Sequence, residues 1–192
     1  MAASNGLFGG GFAALYLIFC LKVVGLTPAL MGLTVACGGV GALFGAGLAA
    51  PLARRLGAGW AIVVAGLGFP LIALLIPLAP AHPITGMAFL MVSQLFGDAC
   101  GVTYNVLAAS LRQTVLPQEK LGRVAGAFQA AAGGTMLVGA LAGGALGQAI
   151  GIRQTLYIVA AGLAVGPLLA ALSPALRGVK EIALETAAET PA

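Results

Sequence analysis

Gln94, Asp98, Asn105 and Arg112 are polar residues in and just beyond a long apolar stretch. At about 100° per residue, Asp98, Asn105 and Arg112 fall near 40°, 20° and 0° from Gln94. The four therefore make one narrow helical stripe, roughly 27 Å long at 1.5 Å per residue. A polar stripe facing hydrocarbon is costly, so this one should face the interior of a bundle or a water-filled path. Asp98 falls near the middle of the run. A carboxylate there can carry a proton or meet a cationic ligand, or it can serve only as a cap at a break near Gly97. Asp98 is the candidate coupling or substrate-contacting residue, and Gln94 and Asn105 line the same path.

The remaining reactive side chains offer little chemistry. Lys22 lies at the end of the first apolar run, where its stem can snorkel to an interface; pairing with Asp98 is the alternative. His82 stands between Pro80 and Pro83 in a connection, as a solvated histidine. Cys20, Cys37 and Cys100 lie in apolar runs without a C-x-x-C spacing, so they read as small apolar residues. No nucleophile triad, metal cluster or phosphate loop is present. Gly9-Gly10-Gly11 has no strand before it and no lysine after it, which argues against a nucleotide site. The pattern predicts no enzyme, no cofactor and no metal.

The elements that must position the stripe follow from composition. The chain has 192 residues, of which 60% are hydrophobic and 7% charged. A soluble domain carries about 25% charged residues, so these charges cannot cover a water-facing surface. The formal charge of +4 does not mark a nucleic-acid partner, because no cluster of Lys and Arg exceeds Arg54-Arg55. The partner is the lipid bilayer. Six apolar runs lie at roughly 6–26, 29–52, 60–78, 84–109, 128–150 and 155–172. They do not alternate as barrel strands would, so they are helices. The expected fold is all-α, with a six-helix transmembrane bundle over residues 1–176 and a disordered cytoplasmic tail over 177–192.

Orientation follows from the basic residues. With the N-terminus inside, the cytoplasmic segments carry seven (Arg54, Arg55, Arg112, Lys120, Arg123, Arg177, Lys180) and the outer ones two (Lys22, Arg153). That bias places both termini in the cytoplasm. Trp60, at the inner edge of the third helix, suits an interfacial aromatic belt.

A weak internal repeat is also present. Shifted by 94, Gly45, Ala49, Ala53 and Gly57 fall on Gly139, Gly143, Gly147 and Gly151. This predicts a three-plus-three inverted repeat. The Gly139, Gly143, Gly147 and Gly151 stripe predicts that the fifth helix touches another helix along its length.

One stretch resembles a known family. Gly97-Asp98, Tyr104-Asn105-Val106, Ser110-Leu111-Arg112-Gln113, Pro117 and Leu121-Gly122-Arg123-Val124 resemble the region between the tenth and eleventh helices of major facilitator superfamily exporters. The branch it looks most like is the enterobactin-exporter-like and macrolide-efflux-like one. Residues 147–156 look like that branch's junction of helices eleven and twelve, and residues 26–33 like its start of helix eight. Residues 50–59 resemble a decayed signature loop: Arg55 and Gly57 fit, whereas Arg54 replaces an acidic residue and Ala58 and Gly59 replace two basic ones.

The resemblance implies the C-terminal six-helix half of that twelve-helix fold, in a bacterial inner membrane. It implies a secondary-active transporter, with proton-coupled efflux of a small amphipathic compound such as a drug or siderophore. The partner is then the missing N-terminal half or a second copy. Arg54, Arg55, Arg112 and Arg123 would lie in cytoplasmic loops, with Arg112, Arg123 and the loop between them forming a cytoplasmic latch. The alternative is a truncated, non-transporting membrane subunit with only an interaction role.

Overall fold

The computed structural model describes residues 2–115 and 117–173. The expected tail at 177–192, with Arg177 and Lys180, lies outside the described residues, as does the side chain of Lys120. Six helices are long and apolar enough to cross a membrane, and the described residues contain no strand. They are α1 (Ala2–Ile18, continued by a π-helical turn at Phe19–Val23), α2 (Pro28–Leu56), α3 (Ala58–Ala73, followed by the short turn Leu75–Leu78), α4 (Pro83–Val115), α5 (Gln118–Ile150) and α6 (Ile152–Leu172).

Local chemistry sets the ends. Thr27 caps α2: its side chain accepts from the Leu30 amide at 3.4 Å, and Pro28 at the first helical position has no amide to satisfy. Pro117 precedes α5 in an extended conformation, which ends the helix before it. Gly57 and Gly151 each turn the chain in a single residue, at φ 77° and 93°. Only glycine adopts this region without strain.

Two helices run further than their apolar residues. α4 continues to Val115, and α5 begins at Gln118 rather than near residue 128. The segment from Arg112 to Arg123 is thus mostly helical, not a loop. The polar residues there still satisfy their backbones within the helix once it leaves the hydrocarbon. α4 also passes through Gly97 without a break, so Asp98 caps nothing.

The packing repeats itself. The two most extensive contacts are α1 with α5 and α2 with α4. α3 packs on α4, α6 on α1, and α3 on α6. Exchanging the first three helices for the last three maps this network onto itself. The spans Ala58–Leu78 and Ile152–Leu172 differ by 94 at both ends, as do Pro28–Leu56 and Gly122–Ile150. The two triplets are separated by three crossings and so run in opposite directions. This is the inverted repeat.

The glycine stripe makes the α1–α5 seam. A Cβ on Gly143 would lie 2.7 Å from the Gly11 Cα, and one on Gly147 2.8 Å from Leu15 Cδ2. On Gly139 it would run into the Leu7 carbonyl. Gly151 leaves the seam and forms the joint to α6. Where lipid removes the hydrophobic drive between helices, such backbone approach supplies dispersion contact. Hydrogen bonds add to it: Thr103 Oγ1 donates to the Gly45 carbonyl (2.9 Å), Ser93 Oγ to that of Ile72 (3.3 Å) and Arg153 Nη2 to that of Ala79 (2.9 Å).

One apolar cluster, including Leu15, Phe19, Val24, Ile76, Leu90 and Leu156, closes the end of the bundle that carries Thr27. A second, of Ala49, Ala53, Ala58, Ala61, Ile62 and Leu107, joins α2, α3 and α4 near Gly57. Large apolar side chains such as Leu43 and Leu141 point outward, 76% and 77% exposed. Water would not tolerate that surface, and hydrocarbon solvates it.

Candidate functional site

The unbroken α4 carries the polar stripe past α2. The opposing residue there is Gly38, whose missing side chain makes the room. A Cβ at Gly38 would collide with the Asp98 carboxylate and stand 3.2 Å from Gln94 Nε2. Both side chains therefore rest against the α2 backbone, where a larger residue would displace them.

From that point the stripe divides. Asp98 and Asn105 line a cavity of about 400 Å³, together with Asn5 of α1, Phe69 of α3 and Tyr104 of α4. Gln94 is not part of its lining and lies beyond it, toward the Thr27 end. Asn105 also lines a second cavity, of about 510 Å³, between α4 and α5, with Arg112, Gln113, Phe128 and Gln129. There the Arg112 guanidinium stands 4.6 Å from the centre of the Phe128 ring, a cation–π contact that ties α4 to α5. The two cavities share Asn105, so polar groups continue from Asp98 to the Gly57 end of the bundle.

Asp98 is half-buried, and among the described residues no side chain forms an ion pair or hydrogen bond with it. Lys22 does not reach it: that side chain is exposed on the π-helical turn at the other end of α1. Toward the Thr27 end, α1 presents Tyr16, whose buried hydroxyl lies near Cys20, Thr34 and Asp98. Phe12 stacks on Tyr16 with ring centres 5.9 Å apart, and meets Phe69 edge-on at the same distance. An aromatic file thus runs from α1 to the wall of the first cavity.

The four arginines sit on helix ends. Arg54 and Arg55 are exposed in the last turn of α2, Arg112 is half-buried near the end of α4, and Arg123 is exposed early in α5. Of these, Arg112 lines the second cavity. His82 and Trp60 are exposed. No group of three or more His, Cys, Asp or Glu side chains among the described residues could hold a metal ion.

Asn5, Phe69 and Tyr104 were not foreseen as lining. Asn5 precedes the first apolar run, and α1 reaches back to include it. Phe69 lies among apolar neighbours in a span whose own periodicity marks no inner face. Tyr104 adjoins Asn105 but falls 100° from it around the helix, outside the polar stripe.

The protein-family model described as Major Facilitator Superfamily matches residues 1–190. No curated protein and no solved structure matches the chain.

Proposed function

Because the chain belongs to the major facilitator superfamily, a family of membrane transporters, we propose that it works as the C-terminal half of a secondary-active exporter. The coupling is to protons, and the cargo is a small amphipathic compound. This places the chain in a bacterial inner membrane with both termini cytoplasmic, beside a partner half or a second copy. It also keeps the enterobactin-exporter-like and macrolide-efflux-like branch as the assignment within the family.

One observation carries the reading: a carboxylate with no ion pair or hydrogen bond among the described residues lines a cavity within the membrane span. Burying a lone charge is expensive unless it is protonated, hydrated or paired. Asp98 therefore has reason to take up a proton or a ligand and to release it when the surroundings open. Asn105 extends the polar lining toward the cytoplasm, and Gln94 fixes the approach to α2. Substrate and coupling sites of this fold lie between its halves, so the partner half supplies the facing wall. Arg54, Arg55, Arg112 and Arg123 gather at the cytoplasmic end, where a latch between open and closed forms would act.

Asp98→Asn tests the coupling, because it keeps the shape and removes the titration. In vesicles containing the chain joined to its partner half, the variant should insert normally and lose the dependence of efflux on a pH gradient. Gradient-driven efflux equal to the parent's would exclude Asp98 as the carrier. Orientation is tested separately with reporter fusions. These should be cytoplasmic at Gly57 and Gln118 and external at His82, and an external signal at Gln118 would overturn the topology.

A further inference from the structure

The Asp98 cavity also has a charge preference. We infer that it takes a monovalent organic cation with an aromatic or alkyl body; this rests on reading the cavity as the transport site. Five lining side chains argue for it: Asp98, Asn5, Asn105, Phe69 and Tyr104. One is a carboxylate, two are amides and two are aromatic, and among the described residues of the lining there is no Lys, Arg or His. The rest is glycine and apolar residues.

Each alternative cargo meets a mismatch. An anion would be brought up to the carboxylate, with the Arg112 guanidinium lining the adjoining cavity rather than this one, and like charges in a half-buried site repel strongly. A sugar would need several hydrogen-bonding groups around its ring, and most of this lining has none to give. A hard divalent metal ion takes six or more oxygen ligands, and the single carboxylate with two amides falls short of that shell. An organic cation fits on three counts. It supplies the charge that Asp98 lacks, the aromatic side chains attract it by cation–π interaction, and its apolar body gains from leaving water. The volume of about 400 Å³ lies within the range that drug-sized ligands occupy, roughly 300–1,000 Å³. Gly38 contributes by position: it lets the carboxylate lie back against α2 and leaves the cavity clear.

Tetraphenylphosphonium and tetraphenylborate have the same shape and opposite charge, so they separate charge recognition from apolar partition. Binding of each to the purified full chain in neutral detergent is measured by equilibrium dialysis against a detergent blank. Phosphonium should bind saturably, and borate should not exceed the blank. Asp98→Asn should weaken phosphonium binding on the order of tenfold or more, as when one partner of a desolvated charge pair is removed. Asp98→Glu should retain the preference for the cation. Equal binding of the two ions, or phosphonium binding unchanged in Asp98→Asn, overturns the inference. If neither variant folds, the parent's preference between the two ions decides alone. The outcome is separable from proton coupling. Phosphonium binding at Asp98 without gradient-dependent efflux removes the coupling and leaves the cation site. Gradient-dependent efflux that needs Asp98 without phosphonium binding does the reverse.

Discussion

The α1–α5 and α2–α4 seams are counterparts under the internal repeat, yet they are built differently. At α1–α5 both helices contribute glycine, with Gly6, Gly10 and Gly11 meeting the side that carries Gly139 and Gly143. At α2–α4 the glycines are on α2 alone. Cβ atoms on Gly41 and Gly45 would run into the carbonyls of Leu95 and Ala99, and one on Gly38 into the Asp98 side chain. The first seam is mainly backbone contact, with the side chains of Thr135 and Leu15 beside Gly6 and Gly147. The second uses the same closeness but keeps side chains on α4, and one of these is the carboxylate of the cavity. A duplicated scaffold thus separates two tasks: one copy holds the bundle together, and the other holds it together while positioning chemistry.

That contrast can be broken most forcefully at its backbone contacts. Gly143→Leu and Gly45→Leu should each destabilise the bundle by on the order of 1–3 kcal/mol, because rigid backbone stands where the new side chain must go. Thermal unfolding in detergent measures this, and a parent-like melting curve for either variant would mean that its seam is not formed. Gly144→Leu supplies the control, since nothing lies within 4 Å of a Cβ there.

Gly38→Ala sharpens the comparison. Its Cβ meets the end of a flexible side chain rather than backbone, so the melting temperature should change little. The Asp98 carboxylate must move, and phosphonium binding should fall several-fold. Gly39→Ala, in open space, should leave both unchanged. Loss of stability without loss of binding in Gly38→Ala would reverse the assignment of roles. The smallest effect belongs to Thr103→Val, which removes the hydrogen bond to the Gly45 carbonyl. An interhelical bond of this kind contributes about 0.6 kcal/mol on average, so a slightly lowered melting temperature is expected with binding intact.

The sequence carried the scaffold further than the site. Six spans, the 94-residue repeat and the glycine seam were legible because each is a regular pattern repeated over many residues. Gly57 and Gly151 already matched at the repeat spacing, and both proved to be left-handed joints. The helical stretch around Arg112 and Arg123 escaped because its polar composition hides a helix that has left the hydrocarbon. Asp98 and Asn105 share a cavity as their periodicity suggested, whereas Gln94 is drawn off toward Gly38. Phe69 and Asn5 could not be read from helix periodicity. They join the site through tertiary packing of α3 and α1, which brings residues far apart in the chain to one wall.

The single-residue joints at Gly57 and Gly151 have a mechanical consequence. With one residue between them, α2 and α3 cannot slide along each other, and neither can α5 and α6. Any rearrangement must carry each hairpin as a lever with a fixed elbow, together with the helix packed along its arm, α4 on α2 and α1 on α5. The Asp98 carboxylate rests on the arm of the α2–α3 lever at Gly38, so any shift of α4 against that arm must displace it.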